Sequence, residues 1–136
     1  MGDRATIRIK HSNSDTAIHL YTHWSGSAVS DILAEALLYA SANGRINDDS
    51  YCTRIIFDRL TGLEGGDTGF GIIIGDENRP MDVAHNSPSV EWHSFNSEPH
   101  VSMYDLSGDL STSVPWKEWV KESTLNNFLS HDLTDV

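Results

Sequence analysis

The chain is 136 residues long and carries 9 Lys+Arg against 20 Asp+Glu, a formal charge of −11, with 38% hydrophobic and 21% charged residues. Such a chain suits a single domain, 1–136, with its own core, and excludes wholesale disorder; the acidic balance repels phosphate backbones and excludes a nucleic-acid polymer as a general partner. A lone cysteine, Cys52, forbids an internal disulfide, and no run approaches the ~20 apolar residues of a membrane span, so a soluble, cytoplasmic protein without a membrane partner is expected.

Ala5, Ile7 and Ile9 alternate with Thr6, Arg8 and Lys10, the period of two of a half-buried strand whose basic residues lie on a wet face. Ser12-Asn13-Ser14-Asp15 turns the chain, and Ile18, Leu20 and Thr22 then alternate with His19, Tyr21 and His23 to complete an antiparallel hairpin. The period changes next. Val29, Ile32, Leu33, Ala36, Leu37 and Ala40 recur at three and four, one stripe of a helix, with Ser27 as N-cap, Asp31 near the positive dipole end and Asn43-Gly44 as the stop. A shorter helix begins after Asp48-Asp49-Ser50 and ends at Gly62, with Cys52, Ile55, Ile56, Arg59 and Leu60 along one side. Either the Arg59 stem covers apolar surface while its head reaches water, or the helical phase is off.

Phe70, Ile72 and Ile74 alternate inside a glycine-rich stretch, which reads as a connection running into a third strand. Met81-Asp82-Val83-Ala84, Val90-Glu91-Trp92-His93 and Val101-Ser102-Met103-Tyr104 follow as three meandering strands, with Pro80, Pro88 and Pro99 between the runs. Pro115 pre-sets a first helical turn that carries Trp116, Trp119 and Val120 on one side; Leu125, Phe128 and Leu129 add a further turn or two, and 132–136 is expected to fray. This order is not the βαβ alternation of a parallel sheet. It predicts an α+β fold: a mostly antiparallel sheet, N-terminal hairpin plus C-terminal meander, with two central helices packed on one face and a short C-terminal helix.

Familiar catalytic signatures are missing. The glycine-rich stretch has no Gly-Lys-Ser/Thr ending, and the chain holds no Gly-x-Ser-x-Gly, Cys-x-x-Cys or His-Glu-x-x-His. His19 and His23 share a strand face but stand ~13 Å apart, beyond the reach of two ligands to one ion. His93 and His100 flank a turn and would need Glu91 or Glu98 as a third ligand; exposed sheet histidines are the better reading, so no metal and no cofactor is expected. Local carboxylate pairs such as Asp48-Asp49 read as caps, and Cys52 as a small core residue. Trp92, Trp116 and Trp119, with Phe95, Tyr104 and Phe128, read as cement between the last helix and the sheet in preference to a partner surface.

The segment with most chemistry is 20–27, where a strand ends in Tyr21-Thr22-His23-Trp24, turns through Ser25-Gly26-Ser27 and enters the best helix of the chain. Free main-chain amides at a helix start, beside three hydroxyls and an imidazole, make an anion site without a basic patch. Trp24 offers a face for stacking, and Arg54, with Tyr51 one turn earlier, would reach the same place as a fork donor, unless Arg54 pairs with Asp58 at the next turn.

Leu20-Tyr21-x-His23-Trp24-x-Gly26, Tyr51-x-x-Arg54-Ile55-Ile56-Phe57-x-x-Leu60-Thr61-Gly62 and Thr68-Gly69-Phe70-Gly71-Ile72, with Asn78 before Pro80, resemble a set of small uncharacterised proteins of bacteriophages and bacterial mobile elements. The resemblance spans roughly residues 4–93 and brings no enzymatic activity. It implies a bacterial host and a protein that binds and blocks a host component. The leading expectation is a non-catalytic protein that sequesters a phosphorylated small molecule, such as a nucleotide signal of host immunity, at residues 22–27, as a weakly held homo-oligomer. The alternative is an acidic inhibitor of a host defence or regulatory protein, engaging it through charge and the C-terminal aromatics. A hydrolase with His23 as general base stands third.

Overall fold

The computed structural model describes residues 3–62, 68–75 and 86–122. Strands β1 (Ala5–Lys10) and β2 (Ala17–Thr22) form the N-terminal hairpin, with Ile7 opposite Leu20 and Arg8 opposite His19. Helices α1 (Val29–Ala42) and α2 (Asp49–Thr61) follow, then β3 (Phe70–Gly75), β4 (Ser87–Glu91), β5 (His100–Tyr104), the two-residue β6 (Val114–Pro115) and α3 (Trp116–Glu122). The strands make one sheet in the order β3-β2-β1-β4-β5-β6. Every neighbouring pair is antiparallel except β1 and β4, which run parallel where the hairpin meets the meander. The fold is α+β.

Strand parity decides what each face does. Ala5, Ile7, Ile9, Leu20, Val90 and Val101 point to the helix-bearing face and join Leu33, Leu37 and Ala40 of α1 with Cys52, Ile56 and Leu60 of α2 in one core cluster. Trp92, Trp116, Trp119 and Val120 belong to the same cluster, so these tryptophans are cement, whereas Phe95, expected with them, is 85% exposed and Phe128 lies outside the described residues. Trp92 also donates its indole N–H to the Ile46 carbonyl at 2.9 Å, tying the α1–α2 loop to β4.

The stop of α1 and the start of α2 form as their sequences require. Gly44 adopts φ +72, its N–H bonds the Ser41 carbonyl at 3.1 Å, and the Arg45 N–H bonds the Ala40 carbonyl at 2.8 Å, the paired reverse bonds of a Schellman stop. Asp48 caps α2 by accepting the Tyr51 N–H at 3.0 Å. Arg59 resolves in favour of the helical phase: it bonds Glu35 of α1 at 2.8 Å, and its guanidinium lies 4.4 Å from the Tyr39 ring centroid.

Four expectations are corrected. The sheet face opposite the helices is not wet around Arg8, which is 4% exposed amid buried Thr6, His19, Ser89 and Ser102. Its guanidinium donates to Ser89 Oγ at 2.7 Å and lies 3.9 Å from the Glu91 carboxylate, partners that a buried cation needs. Alternation reports pleat parity and carries no information about what covers the second face. Pro88 is inside β4, ahead of Ser89, the first residue that β1 pairs, so its missing N–H costs no bond in that ladder. Pro115 ends β6 and immediately precedes α3 instead of lying within it. Ser27 is not the N-cap of α1: a 3-10 turn over Gly26–Ala28 comes first, and α1 starts at Val29. The strand expected at 81–84, the turns around Leu125 to Leu129 and the frayed 132–136 lie outside the described residues. Among the described residues no helix is long and apolar enough to cross a membrane.

Candidate functional site

The corner after β2 is held from three directions. Thr22 Oγ1 accepts the Trp24 N–H at 3.3 Å and the Ser25 N–H at 3.1 Å. The His23 N–H bonds the Gly69 carbonyl at 2.8 Å, the Gly26 N–H bonds the Asp3 carbonyl at 2.7 Å, and the Ala28 N–H bonds the Ser25 carbonyl at 3.0 Å. Asp3 Oδ2 takes both the Ser27 N–H, at 2.9 Å, and the Ser27 hydroxyl, at 2.7 Å. Every main-chain amide from His23 to Ala28 therefore has an acceptor within the chain. The expectation of free amides is overturned: a carboxylate already sits where the helix start favours negative charge. Asp3 stands 24 residues before Ser27, and no spacing rule links the two.

Above this closed backbone the side chains remain open. Tyr21 Oη and His23 Nδ1 are 2.8 Å apart, and the His23 ring meets Trp24 edge-on at 4.3 Å between centroids. Trp24 is 59% exposed, the one tryptophan outside the core. Its indole rests on Gly69, where φ is +100 and an added β-carbon would stand 2.5 Å from Trp24 Nε1. Glycine is required there both for backbone sign and for space. Trp24 thus marks the start of β3.

Tyr51 and Arg54 are not brought to this corner. The start of α2 is tied to the opposite end of the hairpin, since Asp49 accepts the Ser12 N–H and hydroxyl at 3.1 Å and Thr53 Oγ1 lies 2.8 Å from His11 Nε2. A six-residue strand, roughly 17 Å long, separates that end from residue 22. Tyr51 instead lies under the Arg45 guanidinium at 5.1 Å, and Arg54 pairs with Asp58 one turn on.

The residues that sequence reading missed are on β3. This strand pairs with β2 from Ala17↔Gly75 to Thr22↔Phe70, and among the described residues no strand covers its other side. Ile72 is 57% and Ile74 71% exposed, both on the helix-bearing face beside Leu20 and Ile18, while Ile73 is exposed on the opposite face. The strand Phe70–Gly75 holds neither a charged residue nor a proline. Main-chain N–H and C=O groups along such an edge are a template for another strand. Alternation in the sequence placed Phe70, Ile72 and Ile74 on one face correctly; it carried no sign that the strand would be outermost.

Other groups are accounted for locally. Burial first, and then the carboxylates of Asp48 and Asp49, push the Cys52 thiol up to about 12, so it is no thiolate nucleophile near neutral pH. His93 and His100 stack at 4.6 Å, with Glu91 3.9 Å from His93, but Glu98 accepts the Trp116 indole N–H at 2.7 Å. Among the described residues no three His, Cys, Asp or Glu side chains are placed to hold a metal ion. A cleft of about 430 Å³ lies between Lys10, His11, Asp15, Glu91 and His93, lined by both signs of charge. Comparison of the chain with known protein families, curated proteins and solved structures finds no match.

Proposed function

We propose that this chain is a non-catalytic protein-binding module that takes an extended segment of a partner as an additional strand on the outer edge of β3. The observation that carries the reading is the uncharged, exposed Ile72-Ile73-Ile74 edge, flanked at its start by exposed Trp24. Strand addition draws affinity from main-chain hydrogen bonds and selectivity from alternate side chains, and a partly exposed tryptophan is a frequent anchor at such surfaces. With a chain charge of −11, the favoured partner is basic around an apolar extended segment, because complementary fields steer encounter. The resemblance to phage and mobile-element proteins supplies the context: a bacterial cytoplasm, and a host defence or regulatory protein as the target. Sequestration of a phosphorylated ligand at residues 22–27 loses its main support, since the amides that would hold the phosphate are already bonded.

The test is quantitative capture from bacterial lysate by immobilised wild type, by the double variant Ile72→Lys/Ile74→Lys and by Phe95→Lys, which alters an equally apolar but remote residue, 85% exposed. The reading expects a partner that is retained by wild type and Phe95→Lys, lost from the β3 variant and released as salt rises. A partner held equally by all three proteins, or none held by wild type, would overturn it.

A further inference from the structure

The edge strand has an internal symmetry that its surroundings do not require. Gly71-Ile72-Ile73-Ile74-Gly75 reads the same in both directions about Ile73. In an antiparallel pair of two such strands centred on Ile73, Gly71 stands opposite Gly75, Ile72 opposite Ile74, and Ile73 opposite its own copy. Opposed residues share a face, so Ile72 and Ile74 meet twice on the helix-bearing side and Ile73 meets its equivalent on the other. A two-fold axis demands this kind of self-complementary patch.

We infer that a second copy of the chain occupies the β3 edge, joining two six-stranded sheets into one. Two copies that each carry −11 repel over their surfaces generally, and the strand Phe70–Gly75 itself brings no ionisable side chain to the seam. Five paired residues a side, Gly71 to Gly75, fall well short of the ~20–30 residues a side of a standard interface, so the pair is weak and exchanges readily. Its regulatory meaning rests on the reading above: copies shield one another's apolar edge, and a partner strand displaces them. Salt separates the two associations. Screening relieves repulsion between like chains and strengthens the pair, whereas it weakens an acidic protein's hold on a basic partner.

Sedimentation equilibrium of the full chain at low and near-physiological salt, over a wide concentration range, reads the pair directly. The dimer fraction is expected to rise with both concentration and salt and to be lost in Ile74→Lys, with the far-ultraviolet circular dichroism unchanged. In a Cys52→Ala background, Ile73→Cys brings two sulfurs across the axis within disulfide reach and is expected to cross-link at least ~10-fold faster than Ile74→Cys or Phe95→Cys. A monomer under all conditions, a dimer that persists in Ile74→Lys, or cross-linking as fast at residue 74 or 95 as at 73 would overturn the inference. Loss of the dimer with partner capture still dependent on β3 removes only the self-pairing. A dimer with capture indifferent to β3 removes only the proposed function.

Discussion

At one end of the sheet the outermost strand, β6, is two residues long, ends in Pro115 and passes straight into α3, whose Trp116 and Trp119 are buried in the core. At the other end β3 runs six residues without charge or proline, and two of its isoleucines are more than half exposed. The first arrangement is the ordinary protection of a sheet edge: few free main-chain groups, a missing donor and a helix packed beside it. Among the described residues, the chain that protects β6 leaves β3 without a neighbour on its outer side. None of the 20 acidic residues falls on this strand, where a single charge would disfavour the addition of another strand.

Substitutions at the two ends should separate stability from association. Trp116→Ala, at the protected end, removes a fully buried indole and its bond to Glu98 and is expected to cost about 3–5 kcal/mol in urea unfolding. A loss under ~1 kcal/mol there would mean that α3 does not anchor the β6 end. Asp3→Ala, at the corner beside β3, strips Ser27 of two hydrogen bonds and should cost about 1 kcal/mol. Hydrogen exchange should quicken at Gly26 to Ala28 while β5 stays protected, and equal loosening of both ends would erase the difference between them. Ile74→Lys should shift the unfolding free energy by no more than about 0.5 kcal/mol, as a surface change does, while abolishing self-association. Arg54→Ala is expected to have the smallest effect of all, within about 0.5 kcal/mol and with partner capture intact, because its ion pair with Asp58 is exposed.

Where the sequence was legible, it spoke through local periodicity and capping. The stripe of α1, the Gly44 stop and the Asp48 cap are all decided within a few residues of where they act. What it withheld depends on partners distant in the chain. The parallel pairing of β1 with β4 joins residues about 80 positions apart, and Pro88 is accommodated in β4 because it precedes that ladder. The free amides expected at the candidate corner were lost in the same way. Residues 21–27 form the expected strand-to-helix corner, but its amides are consumed by Asp3, Thr22, Gly69 and Ser25, and the nearby exposed surface belongs to β3, whose outer place among the described strands follows only from the strand order.

The lone thiol under α2 gives the fold an alkaline weakness. Cys52 in the native state holds its proton to about 12, against 9.0 for a free thiol. The folded state therefore keeps a proton that the unfolded chain surrenders, and this contribution is whole below pH 9 and drains away as pH climbs toward 12, at about 1.4 kcal/mol per pH unit. The gap between the urea midpoints of wild type and Cys52→Ala, set below pH 9 by the loss of a buried side chain, should stay constant there and change only above pH 9, where wild type falls faster. At neutral pH the same sealed sulfur is a chemical reporter: a thiol-specific reagent can label it only when the helical layer lifts from the sheet, so its labelling rate tracks the population of that opened form.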